Sequence, residues 1–231
     1  MRPIARTLTR EDWIAAARRV LLRSGIEDVK VDRLARDLKI TRGSFYWHFK
    51  SRRDLLDALL RDWEVSNLNQ IDYLRAAWKA DKPDLAYINV IYLGGDQQYP
   101  AFDMCVRFWA RKAPNVAAAV HRIDDAWIGV LTELFRTEGH TETDAFVRAR
   151  INYFHQIGYY ALDLNETIET RVSLIPTYYK ILAGREPSPV LRSILDEALA
   201  KQRTAARGGK VAGRKARAAQ RRAVRAVRAA G

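Results

Sequence analysis

Apolar residues between positions 9 and 200 recur mostly at intervals of three and four, and few runs alternate in the manner of strands. This spacing is typical of amphipathic helices and predicts an all-α fold. The first predicted helix begins after Thr9, which forms a capping-box pattern with Asp12, and it ends at Gly25. Three apolar residues share the inner face of this helix: Ile14, Ala17 and Leu21.

Three more helices are expected in quick succession. The second has an apolar stripe at the spacing i, i+3, i+4, i+7, formed by Val31, Leu34, Ala35 and Leu38. Lys39 and Ile40 make a tight connection to a short third helix, which Thr41 caps. Ser51 to Asp54 is another capping-box pattern, and it opens a long helix that includes Trp63. Short helices joined by a tight turn predict a helix-turn-helix.

Glycine and proline residues divide the next region into further helices. They are expected near 84–95, 101–112, 115–137, 142–163 and 167–183, with one more near 190–200. Pro176 must kink the helix near 167–183 or mark its true start. We therefore divide the chain into a helix-turn-helix domain at 1–63, a second helical domain at 64–200 and a basic tail at 201–231.

The short third helix has an unusual outer face. On a helical wheel of residues 42–50, Phe45 and Phe49 point inward, whereas Tyr46 and Trp47 point outward. Two large aromatic side chains are poor choices for a solvated face, but they suit a face that double-stranded DNA covers. The alternative is an ordinary three-helix bundle in which these two rings pack on the second domain. We favour DNA and predict contacts from Thr41, Arg42, Gly43, Ser44, Tyr46, Trp47, His48, Lys50 and Arg52.

These residue types divide the work of recognition between bases and backbone. Arg42 and Ser44 can donate hydrogen bonds to base edges, and Gly43 permits a close approach. Lys50 and Arg52 can reach phosphates.

The stretch from Thr9 to Trp63 resembles the DNA-binding domain of the tetracycline-repressor (TetR) family. The run Gly43-Ser44-Phe45-Tyr46-Trp47-His48-Phe49 and the basic Arg52 carry the resemblance. It implies a non-enzymatic transcriptional regulator, usually a repressor, that binds a palindromic operator as a homodimer and is released by a small-molecule effector. It also implies that the last two long helices form the dimer interface. Candidate apolar contacts there are Ile151, Phe154, Leu162, Ile168 and Leu174.

Two positions depart from the family's pattern. Lys39 stands in the turn where the family usually has glycine, and a left-handed conformation would cost about 1–2 kcal/mol there. The first turn of the second helix has Lys30-Val31-Asp32 where the family usually offers a threonine, so Lys30 would have to supply the phosphate contact.

A group of aromatic residues in the middle of the chain could line a cavity for a mostly apolar effector. We select Tyr87, Tyr92, Phe102, Phe108, Trp109 and Trp127 as candidates. A role as ordinary core residues is the alternative for each of them. Asp96, Asp103 and Arg107 could add polarity or could face solvent. No metal, P-loop, dinucleotide or nucleophile-elbow motif stands out in the sequence, so we expect no enzyme activity, metal or cofactor.

Charge is concentrated at the C-terminal end. Of the 40 basic residues, eleven lie in 201–231, which has no acidic residue, so positions 1–200 carry a net charge of only +2. Such a segment is expected to be disordered and to contact phosphates. Because of this basic segment, two alternatives to a regulator stay open: an architectural, sequence-tolerant DNA-coating protein, and a membrane-surface protein. One cysteine, no signal peptide and no apolar run of membrane-spanning length predict a cytoplasmic protein without a membrane partner.

Overall fold

The fold was analysed on a computed structural model. It describes residues 8–79, 99–162, 164, 166–186, 189, 193, 196, 197 and 200. All regular structure in these residues is helical, so the all-α prediction is confirmed. The helices are α1 (Arg10–Ser24), α2 (Val31–Asp37), α3 (Arg42–Phe45), α4 (Arg52–Lys79), α5 (Tyr99–Ala110), α6 (Pro114–Thr137), α7 (Glu142–Leu162) and α8 (Ile168–Ala183). The expected helix near 84–95 and the basic tail lie outside the described residues.

The helices fall into two compact units, with α1 to α7 in one and α8 in the other. In the first unit, α7 packs mainly on α6, and α6 also contacts α4 and α5. In the second unit, Thr167 caps α8 and Gly184 ends it in the left-handed conformation. Pro176 lies inside α8, so it does not mark the start of that helix. Among the described residues, no helix is both long and apolar enough to cross a membrane.

The two ends of α1 follow from its sequence. The backbone N–H of Asp12 donates to Thr9 Oγ1 over 3.3 Å, and the N–H of Thr9 donates to Asp12 Oδ2 over 2.9 Å, so the predicted capping box is present. Gly25 ends the helix with a φ of 82°, a conformation that glycine adopts without steric cost.

The turn between α2 and α3 is tight, as predicted. Leu38 caps α2, and Lys39 follows with a φ of 57°, which is left-handed. The N–H of Lys39 donates to the carbonyl of Arg36 over 3.1 Å, and that of Ile40 donates to Ala35 over 3.0 Å. A lysine thus occupies the left-handed position that glycine fills at lower cost.

The helix α4 links the N-terminal helices to the rest of the first unit. Its first turns bury Leu55, Leu59 and Trp63, and the helix continues to Lys79. The same helix therefore supplies a wall of the helix-turn-helix core and, further along, packs on α6.

Candidate nucleic-acid interface

Buried aromatic rings hold α3 in place. Phe45 is fully buried and meets Trp13 of α1 edge-on, with ring centroids 5.2 Å apart. It also stacks on buried Phe49, with centroids 5.4 Å apart. The guanidinium of Arg10 lies over the outer side of Phe49, 4.6 Å from the ring centroid. These contacts confirm the inward orientation predicted for Phe45 and Phe49.

The opposite face of α3 presents aromatic rings to solvent. Tyr46 is 53% exposed and Trp47 is 88% exposed. The ring of Tyr46 meets the edge of Phe45, whereas Trp47 projects away from the core. The outward orientation predicted from the helical wheel is therefore confirmed for both residues, and neither packs into the core. The two exposed rings therefore form an apolar surface next to the buried aromatic core.

The helical part of this segment is shorter than the wheel of 42–50 assumed. Helix α3 ends at Phe45, and residues 46–48 form turns. The hydrogen bonds from Tyr46 N–H to the Gly43 carbonyl and from His48 N–H to the Phe45 carbonyl span three residues, as in a 3₁₀ turn. At the start of α4, the N–H of Asp54 donates to Ser51 Oγ over 3.2 Å, and the Asp54 carboxylate accepts from the N–H of Lys50 over 3.0 Å, not from that of Ser51 as a full capping box requires.

Arg42, at the start of α3, is held by two neighbouring side chains. Its Nη2 donates to the hydroxyl of Tyr46 over 3.2 Å, and its Nη1 lies 3.4 Å from Oδ1 of Asp32 in α2. The hydrogen bond to Tyr46, followed by the charge of Asp32, raises the pKa of Arg42 above its usual value. The contact between Asp32 and Arg42 was not predicted from the sequence, where Asp32 stands out only as part of a departure from the family pattern.

The other predicted contact residues differ in exposure. Thr41, Gly43 and Lys50 are exposed, whereas Ser44 and His48 are half-buried. Thr41 occupies the N-cap position of α3, but its side chain makes no capping hydrogen bond, so its expected role as a side-chain cap is wrong. Its exposed hydroxyl lies at the start of the helix, where a phosphate oxygen would bind.

Arg52 has a structural role that the sequence did not reveal. Its Nε donates to the carbonyl of Val29 over 2.6 Å, and its Nη2 donates to the carbonyl of Ile26 over 2.8 Å. Two of its three guanidinium nitrogens therefore hold the α1–α2 connection against the start of α4. This arrangement does not match the phosphate contact expected from the sequence, because the fork that would bind a phosphate is turned toward backbone carbonyls.

A buried polar cluster connects four helices of the first unit. Trp63 Nε1 in α4 donates to Oδ1 of Asp103 in α5, and Arg107 Nε donates to the other carboxylate oxygen over 2.8 Å. Arg107 also makes a two-pronged contact with Asp124 in α6 and donates to the hydroxyl of Tyr153 in α7. Asp103 and Arg107 thus satisfy each other inside the protein, which excludes the solvent-facing alternative for both.

Burial sets the protonation equilibria of this cluster. Asp103 is only 2% exposed, and burial raises the pKa of its carboxyl group, although Arg107 opposes the shift. Burial by itself would lower the pKa of Arg107, but hydrogen bonding to Asp124 and the charge of Asp103 raise it above its ordinary range. Arg107 therefore stays positively charged and neutralises the carboxylates of Asp103 and Asp124.

The predicted effector residues that the structure describes differ in burial. Phe102 is fully buried with Arg18 over its ring, and Trp127 is buried and donates to Asn67 over 3.0 Å. Phe108 is 58% exposed, and Trp109 is half-buried. Tyr87 and Tyr92 lie outside the described residues, as does Asp96.

An open groove of about 610 Å³ lies elsewhere, between α6 and α7. Phe146, Arg150 and Phe154 line it on α7, and the Arg150 guanidinium lies 5.2 Å from the centroid of the Phe154 ring. None of the predicted effector residues lines this groove. In the part of the chain that the structure describes, no three metal-ligating side chains cluster.

Comparison with known proteins finds similarity in the N-terminal part of the chain. Residues 14–59 match the family described as "Bacterial regulatory proteins, tetR family". Over 52 residues the chain is 40% identical to the HTH-type transcriptional regulator SrpR of Pseudomonas putida and 44% identical to the tetracycline repressor protein class D of Escherichia coli. Each match covers 22% of this chain and 24% of the relative. The similarity therefore spans about a quarter of the length of these relatives.

Solved structures show the same fold over most of the chain. The multidrug binding protein EbrR, in its complex with malachite green, has a TM-score of 0.57 at 18% identity, covering 78% of this chain and 98% of that one. GusR of Salmonella enterica has a TM-score of 0.56 at 17% identity, covering 80% and 96%. The part of the chain that holds the aromatic core and the two exposed rings, residues 14–59, is therefore similar to the tetR family of bacterial regulatory proteins.

Proposed function

We propose that this protein is a transcriptional regulator, not an enzyme, and that it binds a palindromic operator as a homodimer through α3. The observation that carries the proposal is the pair of exposed rings, Tyr46 and Trp47, directly after α3, whose last residue is packed in a buried aromatic core. Exposure of two large aromatic rings to water is unfavourable, and binding in a DNA groove would remove these rings from water. Residues 14–59 match a family of bacterial regulatory proteins, and the relative SrpR is named as an HTH-type transcriptional regulator, which agrees with this function.

Selection of bound sequences from a random duplex library tests the proposal. We expect one enriched motif with two inverted half-sites, their centres one helical turn or more apart. The architectural alternative, led by the basic tail at 201–231, predicts no motif and an affinity that grows with duplex length. Binding without a motif that strengthens with duplex length would contradict the proposed regulator and favour a DNA-coating protein.

Dimer formation is proposed on the exposed side of α7. Val147, Ile151, Phe154 and Leu162 are exposed and lie on one stripe of the helix, whereas Ala145, Ala149 and Asn152 are buried on another face. Gly158 lies in the exposed stripe, and a Cβ added there would meet nothing within 4 Å, so a second helix can approach closely. In α8, Leu174 and Ile181 are exposed as well. The expected contacts Ile151, Phe154, Leu162 and Leu174 are thus available, and the side chain of Ile168 is not described.

We expect the double variant Ile151→Glu, Phe154→Glu to be monomeric. Each carboxylate would be buried without a partner at the interface, so the dimer dissociation constant should rise by about a hundredfold or more. Sedimentation or light scattering at micromolar concentration measures this. Val65→Glu is the matched control, because Val65 is an exposed apolar residue on α4. A wild-type protein that is monomeric at micromolar concentration would contradict the proposal.

A small, largely apolar effector is proposed to bind among the helices that follow α4 and to weaken operator binding. Gln156 on α7 supports this, because its side chain is buried and its Nε2 has no hydrogen-bond partner among the residues that the structure describes. Buried amide donors normally have a partner, so a hydrogen-bond acceptor on a ligand would satisfy it. The residues predicted to line its site stay predictions: Tyr87, Tyr92, Phe102, Phe108, Trp109 and Trp127. Any such effector must be weakened by operator DNA by the factor with which it weakens DNA binding.

A further inference from the structure

The reading face contains a contact between two helices that its DNA-binding role does not by itself require. Asp32 lies in the first turn of α2, and its Oδ1 is 3.4 Å from Nη1 of Arg42 at the start of α3. The hydroxyl of Tyr46 accepts from Nη2 of the same guanidinium over 3.2 Å. All three side chains are exposed, so this triad lies on the surface and not in the core.

The triad fixes a side chain that would otherwise move freely. An arginine has several rotatable bonds, and an exposed one samples many orientations. Here Nη1 is held by Asp32 and Nη2 by Tyr46, on opposite arms of the planar fork. A guanidinium carries five N–H groups, so enough donors remain for a two-pronged contact with a guanine edge.

The charge of Asp32 also has a consequence for binding. An unpaired arginine near a duplex is attracted to the closest phosphate oxygen, and that contact is blind to sequence. A carboxylate at 3.4 Å reduces the net charge of the arm and is itself repelled by phosphates. An acidic residue at this position therefore weakens binding to any duplex while it leaves a directed base contact possible.

We propose that Asp32 is a specificity-determining residue, which holds the Arg42 guanidinium in position to read a base and away from the DNA backbone. The proposal rests on the DNA-binding function proposed above. Asp32 acts as a positioning residue, since the contact with the base belongs to Arg42. The expected ligand feature is a guanine edge in the major groove, the partner that a bidentate arginine fits best.

The test compares Asp32→Asn with the wild-type protein by selection from a random duplex library and by binding to the selected site and to an unrelated duplex. Asparagine keeps the size of the side chain and removes the charge. We expect relaxed preference at the one or two base pairs that Arg42 reads. Affinity for the unrelated duplex should rise roughly two- to fivefold, the effect of one exposed ion pair. Its salt dependence should steepen by up to about 0.9 in log–log slope, which is one added phosphate contact.

Asp37→Asn is the matched control. Asp37 is the last residue of α2 and pairs with Arg23, so this variant removes the same charge from the same helix without touching Arg42. It should keep the wild-type motif. In an Arg42→Ala background, Asp32→Asn should no longer change the preference at any base pair, because the side chain that it positions is gone.

Three results separate the possible errors. An Asp32→Asn motif identical to that of the wild type overturns the inference. A uniform loss of affinity at every position also overturns it, because that result indicates a role in folding α2. If the wild-type protein itself selects no motif, the proposed function fails and the inference fails with it, whatever Asp32→Asn does.

Discussion

Replacing both Tyr46 and Trp47 with alanine is expected to remove almost all specific DNA binding and to leave the fold intact. Both rings are mostly in solvent, so their removal takes little buried area from the free protein. In the complex they would be the large aromatic anchors at the centre of the interface, and such anchors dominate binding energies. Affinity for the selected operator should fall by about a hundredfold or more. Fluorescence anisotropy on the labelled operator measures the change.

The control for this variant is Phe108→Ala. Phe108 is an aromatic ring of similar exposure on α5, away from α3 in sequence, and it lies under the guanidinium of Arg111. Its removal should leave operator affinity within about twofold of the wild-type value, as expected for a surface residue outside the interface. Circular dichroism should show unchanged helicity in both variants. A Tyr46→Ala, Trp47→Ala protein that binds the operator like the wild type would show that α3 is not the recognition helix.

The N-terminal helices could be predicted closely because their signals are local. The capping box of Thr9 and Asp12 is readable from four consecutive residues, and Gly25 is a stop signal by itself. The inward and outward faces of α3 follow from the spacing of Phe45, Tyr46 and Phe49. Even the strain at Lys39 was predictable, since a lysine stands where the turn needs a left-handed residue.

What could not be predicted depends on contacts between residues far apart in the sequence. Arg52 resembles a phosphate ligand in the sequence, yet it donates to the carbonyls of Val29 and Ile26, more than twenty residues earlier. Periodicity alone cannot distinguish a surface arginine from one that binds backbone carbonyls. The same reasoning applies to Asp32, whose partner Arg42 lies on the other side of the turn. An acidic residue one helix before a recognition arginine is a signal that a later analysis could use.

The aromatic candidates for the effector site show a similar limit of sequence-based prediction. Residue type identifies rings, but burial and direction decide whether they share a cavity. Phe108 and Phe102 lie six positions apart on α5, and one is exposed while the other is fully buried. On the same helix two charged residues, Asp103 and Arg107, are paired inside the fold, although charged residues are normally exposed. A charge pair at i, i+4 on a helix is normally a surface feature, and only the tertiary structure shows it buried.

The buried pair leads to the second large effect, the expected destabilisation of Arg107→Met. Arg107 is the shared partner of Asp103 and Asp124 and also donates to Tyr153. Methionine fills much of the same space but leaves the Asp103 carboxylate buried with no positive charge beside it. Removing one member of a buried ion pair typically costs about 3–5 kcal/mol, a large fraction of the stability of a domain. Denaturant unfolding monitored by circular dichroism measures this difference in the free energy of unfolding.

Acidification should relieve part of that loss. The pKa of Asp103 is already raised by burial, and without the opposing charge of Arg107 it must rise further. A carboxyl group whose pKa is higher in the folded than in the unfolded state binds protons preferentially when folded, so its stabilising contribution is present at low pH and is lost as pH rises through the folded-state pKa. The deficit of Arg107→Met relative to the wild type should therefore be smaller at pH 5 than at pH 8. Adding Asp103→Asn, which removes the stranded charge, should recover part of the stability at pH 8 and abolish most of the pH dependence.

The surface pair between Arg122 of α6 and Glu64 of α4 provides the control. It also joins two helices through an arginine and a carboxylate, with 2.7 Å between Nη2 and Oε1, but the arginine is largely exposed. Arg122→Met should cost less than about 1 kcal/mol, because the Glu64 carboxylate that remains is partly exposed and water can solvate it. It should also show no deficit that grows from pH 5 to pH 8. Equal losses for Arg107→Met and Arg122→Met would mean that the cluster of Asp103, Arg107, Asp124 and Tyr153 behaves as a solvated surface network, and its role in joining α5, α6 and α7 would have to be abandoned.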